Sequence, residues 1–263
     1  MRKTPSLRIE YFNKKIMFNL SFIMAFVCTI LLSTSANSQT TTLASTNPAL
    51  PAASICPSST RVPIYQFTLT ASATVNLTGL NFTTNSGYVA GDISAFQLYS
   101  STTNNLAGAT QAGTTLSTSL VPGLHTFVAF TRSVTTTTRY FWITINTSAA
   151  PIANDSIVVP ALTTGNLTVS AGTLAGSAFD GGRQTFNTAP SAVTVSGSGT
   201  FCGSTTLNAT GGAGGTIYWQ NTTTNGISTT TQTSSQVVSA TGTYYFRAYN
   251  GSCWGTPFYF LII

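Results

Sequence analysis

A chain of 263 residues has room for two ordinary domains once a targeting segment is removed, since domains cluster near ~100–150 residues. Only 5% of its residues are Asp, Glu, Lys or Arg, and the formal charge of +6 is concentrated at the N-terminus: Arg2, Lys3, Arg8, Lys14 and Lys15 precede residue 16, while beyond residue 38 Arg61, Arg132, Arg139, Arg183 and Arg247 face Asp92, Asp155 and Asp180, five against three, for a balance of +2. This excludes a phosphate-neutralising nucleic-acid surface, and with one His and neither Glu nor Lys beyond residue 38 it argues against an enzyme, which needs groups that take and give protons.

In chain order, the basic start is followed by the apolar run Ile16–Leu32 and then by STSANSQ, where Ala36 and Ser38 supply the small residues of a cleavage site. Residues 1–38 read as a secretory signal peptide with maturation at Gln39. The run is only slightly short of the ~20 residues of a membrane span, but Asn19 within it and the small-residue exit favour cleavage, so the membrane is a partner only during export. Cys28 lies inside the run with no lipoprotein box after it. Cys56, Cys202 and Cys253 then remain in an exported, oxidising setting. Three thiols cannot all pair within one chain.

Residues 39–48, rich in Thr and Ser, read as a polar linker. Over residues 49–188 short runs recur, among them VPIYQFTLT, TVNLTGLNF, ISAFQLYS, LHTFVAF, RYFWITINT, DSIVVPAL and GNLTVSAG. Their Thr, Val, Ile, Tyr and Phe suit pleated strands, and their spacing predicts an all-β sandwich. In RYFWITINT one buried face is expected, with Phe141, Ile143 and Ile145 alternating against Tyr140, Trp142, Thr144 and Asn146. His125 reads as a structural histidine, Asp180-Gly181-Gly182 as a turn, and the three aspartates as too scattered in sequence for a metal site. No metal, cofactor or catalytic residue is expected.

A turn-rich boundary at Thr185–Gly199 leads into a second β-sandwich, residues 189–263, with candidate strands TTLNA, TIYWQ, QVVSA, TYYFRAY and FYFLII. Gly242-x-Tyr244 with Phe246 two residues on has the form of the tyrosine corner of immunoglobulin-like sandwiches. Trp219 falls where the third strand places a core Trp, and Leu207 and Phe246 take the places of the inter-sheet cysteines. Burying such a Leu and Phe stabilises by ~1.5–3 kcal/mol each. Asn250-Gly251 predicts a two-residue hairpin. The run Phe258–Ile263, apolar and of high β-propensity, is expected to be the last strand and to promote self-association.

FCGSTTLNATGG, TIYWQ and SATGTYYFRAYNGSC, over about Ser191–Gly255, resemble the immunoglobulin-like module of secreted and cell-surface proteins of the Bacteroidetes, in which Cys-Gly-Ser opens the module and Asn-Gly-x-Cys closes it. RVPIYQFTLTA, LTGLNFTT, FQLYS and TRYFWITIN, within Pro51–Asn187, are similar to the β-sandwich found beside sialidase-type repeats in the same group. The resemblance implies a Cys202–Cys253 disulfide; Cys56, left over, reads as a buried thiol, the common fate of a free cysteine. It also implies a piece of a longer protein, since such proteins continue into further modules and a C-terminal sorting domain. Sialidase boxes are absent, so that activity does not carry over. The expected function is a non-catalytic, secreted or cell-surface structural or adhesion-type module whose partners are surface glycans or other surface proteins. The alternative is a carbohydrate-binding module using Trp142 and Trp254. Asp155-Ser156-Ile157 resembles the group's periplasmic O-glycosylation site, which points to Ser156.

Overall fold

The computed structural model describes residues 39–262 apart from 47, 48, 198 and 201; the expected signal peptide therefore lies outside the described residues. In chain order the strands are β1 (Thr40–Ser45), β2 (Ala53–Ile55), β3 (Val62–Ala71), β4 (Val75–Thr83), β5 (Ile93–Ser101), β6 (Thr110–Gln111), β7 (Leu124–Phe127), β8 (Arg132–Val134), β9 (Arg139–Thr147), β10 (Ser156–Ile157), β11 (Leu167–Val169), β12 (Thr173–Ser177) and β13 (Gln184–Phe186). They are followed by β14 (Val193–Ser196), β15 (Thr205–Gly211), β16 (Thr216–Trp219), β17 (Ser235–Val238), β18 (Gly242–Tyr249) and β19 (Phe258–Ile262). The fold is all-β, built of β-sandwiches.

The first sandwich packs a six-stranded sheet, ordered β12-β1-β3-β9-β5-β6, on a smaller sheet, β11-β4-β7, in which β8 also pairs with β4. Alternation explains the packing: in β4 the inward Val75, Leu77 and Phe82 are buried and in β5 the inward Phe96 and Leu98 are buried. The two sheets meet through rings such as Phe82 and Phe96, whose centroids lie 5.3 Å apart edge to face, a preferred aromatic geometry. Within the larger sheet Phe67 and Phe141 sit opposite each other and stack at 5.0 Å. A third, short sheet, β10-β13-β2, lies where the chain leaves this sandwich.

Two expectations fail in this region. Residues 40–45 are not linker but a strand within the larger sheet, antiparallel to β3 and parallel to β12. Their Thr and Ser side chains hid a strand whose Leu43 is 1% exposed. Nor does β9 bury a single face, because Trp142 and Thr144 are buried along with Phe141, Ile143 and Ile145. The outer face is roofed by the connection between β5 and β6. There Arg61 donates through Nη2 to Leu106 O (2.5 Å) and Ala109 O (2.6 Å), its guanidinium lies 4.0 Å over the Tyr99 ring, and Gln66 Nε2 donates to Asn104 Oδ1. Trp142 lies opposite both Gln66 and Tyr99, beneath this cover.

In the second sandwich β14-β15-β17 form one sheet and β16-β18-β19 the other, the division of an immunoglobulin-like domain. Among the described residues its core gathers Val193, Leu207, Ala209, Val238, Tyr244, Phe246 and Ala248, with Trp219 partly buried against it. The residues read from the sequence fall into place. Tyr244 Oη donates to Ala240 O at 2.9 Å, the tyrosine corner, and Trp219 packs on Phe246 at 4.8 Å and on Tyr244 at 5.4 Å. Asn250-Gly251, however, does not make a two-residue hairpin. Tyr249 bridges Trp254, leaving a four-residue loop in which the Asn250 side chain accepts from the N–H of Ser252 (3.1 Å) and Cys253 (2.7 Å), a local bond that Asn makes readily in turns. Gly251 supplies the required positive φ of 89°.

Candidate functional site

The sequence nominated Trp142 and Trp254 as ligand-contact aromatics, and the structure does not bring them together. Trp142 is 3% exposed in the first sandwich, so it offers no face to a ligand. Trp254 is half-buried in the second: it stacks on Tyr249 at 4.6 Å, meets the edge of Tyr218 at 5.7 Å and has the Arg247 guanidinium 5.4 Å from its ring. That guanidinium is itself tied to Gly255 O and Gly226 O, each at 3.0 Å, and burial lowers its pKa. Ser156 is 4% exposed and its Oγ accepts from Arg183 Nη1 at 2.9 Å, so the folded chain withholds it from a glycosylating enzyme.

His125 sits on β7 with its ring buried between Phe96 (4.4 Å) and Phe82 (5.1 Å), and its Nε2 lies 3.2 Å from Thr84 Oγ1. Burial lowers its pKa and keeps the ring neutral, as a structural histidine. Among the aspartates, scattered in sequence, the fold does unite two. The buried Asp92 carboxylate accepts from Val89 N–H (2.9 Å) and Ile152 N–H (2.6 Å). Asp155 lies in hydrogen-bond contact with it, and burial, then that bond and the charge of Asp92, hold the Asp155 carboxyl above its ordinary range. Asp180 instead accepts from Ala161 N–H at 2.7 Å. Among the described residues no three His, Cys, Asp or Glu side chains gather as metal ligands would.

The most constructed place on the surface is where the two sandwiches meet, and it corrects the expected disulfide. Cys253 pairs with Cys56, Cα–Cα 5.5 Å, and Cys202 is free and exposed. The reason is topological. The β14–β15 pairing sets Val193 beside Gly211 at one end and Ser196 beside Asn208 towards the other; Cys202 precedes β15 at the latter end. Cys253 lies at the former, since Gly255 abuts the Pro190 and Ser191 carbonyls. Bridged Cα atoms must lie within ~7 Å, so Cys253 is served by the cysteine that the first sandwich presents there.

Each partner is held in its own sandwich. Cys56 follows β2, whose Ile55 O accepts Asn187 N–H at 2.9 Å, and Thr147 Oγ1 donates to Cys56 O at 2.9 Å. Cys253 is fully buried and pinned by the Asn250 side chain, which also donates through Nδ2 to Thr188 O at 2.8 Å. Three stretches therefore converge: residues 55–56, the connecting segment 187–188, and the loop 250–253. Sequence reasoning missed this cluster because it paired Cys56 with nothing, although its position just ahead of the first long strands, like that of Cys202 ahead of β15, was visible.

No family model and no curated protein matches the sequence. Among solved structures, the chain is similar to the C-terminal domain of the AgI/II polypeptide BspA of Streptococcus agalactiae, at 9% identity over 84% of this chain and 99% of that one, with a TM-score of 0.28. It is also similar to the FN1–FN3 domains of chicken CNTN1, at 10% identity over 81% and 63% with a TM-score of 0.20. A Corynebacterium diphtheriae protein described as membrane anchored gives 11% over 79% and 52% with a TM-score of 0.19. These superpositions are loose, and none assigns a role to a residue of this chain.

Proposed function

We propose that the chain is a non-catalytic structural and adhesion-type module of an exported bacterial surface protein. The observation that carries this reading is the Cys56–Cys253 disulfide, because such bonds persist in oxidising compartments outside the cytoplasm and rarely within it. It is supported by a surface poor in titratable groups, by a histidine sealed in a core and by the charge–apolar–small order of residues 1–38. Expression with its own N-terminus in a Gram-negative host, followed by fractionation and mass analysis, tests it. The expected product lies outside the cytoplasm, begins at Gln39 and has one alkylatable thiol, Cys202. An exported product retaining Met1, or one with three free thiols, overturns it.

Glycan binding is the second reading, favoured by the Tyr218, Tyr249 and Trp254 rings on the outer side of β16 and β18, since aromatic faces take up the apolar faces of sugars. A glycan-array signal abolished by Trp254→Ala supports it, and no signal at millimolar glycan rules it out. Self-association through β19, an end strand of its sheet, is the proposed protein contact. Light scattering against concentration should show assembly that is lost when residues 258–263 are removed.

A further inference from the structure

The disulfide joins residues 197 apart, and what lies inside that loop is most of the described chain. All of β3–β13 and β14–β18 fall between the two cysteines, while among the described strands β1, β2 and β19 fall outside. The two hydrophobic cores are separate, one gathered from Leu43 to Phe186 and the other from Val193 to Ala248. The connecting segment passes directly beside the bridge: Asn187 N–H bonds Ile55 O on one side of it, and Thr188 O accepts the Asn250 amide on the other.

We infer that the Cys56–Cys253 disulfide is the load-bearing link of this chain, carrying tension past both sandwiches so that neither is drawn out while the bond is intact. A pull applied on the N-terminal side of residue 56 and the C-terminal side of residue 253 has two routes. One runs through the polypeptide between them, and the other crosses directly through the S–S bond, between Cα atoms 5.5 Å apart. The short route takes the load, because the long one is slack until the bond breaks. The biological use of this device rests on the surface-module reading, whereas its mechanics do not.

The anchoring fits this role. Tension entering at Cys56 is met at once by the parallel pairing of β2 with β13 and by Thr147, and tension leaving at Cys253 acts on a buried residue held by Asn250. Under load the segments outside the loop can peel: β19 from β18, and β1 from β3 and β12. At ~3.3–3.6 Å per extended residue, residues 39–55 and 254–262 together yield at most ~90 Å. Opening the loop adds on the order of 650–700 Å by the same measure. Reduction by a dithiol switches the route: two electrons and two protons pass from the dithiol to the bridge, which becomes two thiols, and the dithiol closes to its own cyclic disulfide. Cys56, only half-buried, is the sulfur that such a reagent can approach.

The experiment is single-molecule stretching of the 39–263 chain held by handles at its two ends. In oxidising buffer the expected extension stays within ~90 Å up to forces that unfold ordinary domains; with dithiothreitol, or in the Cys56→Ser/Cys253→Ser variant, it grows by hundreds of ångströms, and Cys202→Ser changes neither trace. Full extension of the oxidised protein, which a bond between residues 56 and 253 does not permit, would show that the two cysteines are not joined and overturns the inference. So does an oxidised trace that releases the whole first sandwich, the signature of a Cys202–Cys253 bond. Failure of export in the fractionation experiment would leave these traces unaltered, so the two readings fail separately.

Discussion

Arg61 shows how a chain with few charges spends one of them. It adopts a positive φ of 56°, an uncommon backbone state for a non-glycine residue, and its guanidinium holds the β5–β6 connection over Tyr99 and Trp142. Bonds from a charged donor to carbonyl oxygens contribute roughly 1.5–3 kcal/mol. Arg61→Ala should therefore destabilise by about 2 kcal/mol and shift the Trp142 fluorescence to the red; Arg61→Lys should rescue little, since an ammonium cannot match the planar fork. Unchanged emission would show that something else covers Trp142. His125 and Asp155 set the pH response with opposite signs. The His125 pKa lies below its ordinary 6.5, so the stability it contributes is full above that value and is lost as pH falls through the lowered one. The Asp155 pKa lies above its ordinary 3.8, so its contribution is full below 3.8 and is lost as pH rises through the raised value. Urea titrations across pH 4–8 should show His125→Gln flattening the loss of stability on the acid side of 6.5. Asp155→Asn should remove the opposing decline on the other side of 3.8. A variant whose profile parallels the parent would refute the assignment for that residue.

Among the elements, β1 is the one whose importance its sequence conceals. It supplies hydrogen-bond partners to β3 on one side and β12 on the other, and among the described strands β12 has no other neighbour in the sheet. Leu43→Ala should cost ~2–5 kcal/mol, the range for emptying a core leucine site, while Thr42→Ala, at an exposed position of the same strand, should cost little. Deleting residues 39–46 should leave β12 cleavable by protease near residues 173–177, and continued protection there would show that β12 is held otherwise. The long strands β3, β4, β5, β9 and β18 were legible because each is a run of eight to ten residues rich in β-branched and aromatic side chains, which declares a strand even where, as in β9, both faces are buried. The tyrosine corner was legible because its hydrogen bond spans only from Tyr244 to Ala240. By contrast β2, β6, β8, β10 and β13 are two or three residues long, and their pairing is fixed by distant partners rather than by any local period. Trp142 was misjudged for the same reason, since its cover comes from a loop about forty residues earlier in the chain, and so was Cys253, whose partner belongs to the other sandwich.

For the whole molecule, the two cores are unequal. Among the described residues the second gathers seven buried side chains, and a small core gives a sandwich only marginal stability by itself. The junction compensates. While the first sandwich is folded, Cys56 is fixed beside Asn187, where the chain passes towards the second sandwich, so the bridge ties Cys253 back to the start of its own domain. Residues 188–253 become a closed loop, and closing a loop of this length in the unfolded chain stabilises by roughly 2–4 kcal/mol. That gain should fall chiefly on the second sandwich. Variants keeping a single tryptophan separate the two: Trp142 reports the first sandwich and Trp219, against Phe246, the second. In denaturant, Cys56→Ser/Cys253→Ser should move the Trp219 transition to lower concentration by about 2–4 kcal/mol of stability and move the Trp142 transition much less, so that one nearly coincident unfolding becomes two. A Trp219 midpoint that stays in place would mean that the second sandwich holds without the first, and the bridge would then be a tether between independent domains rather than a support for the weaker one.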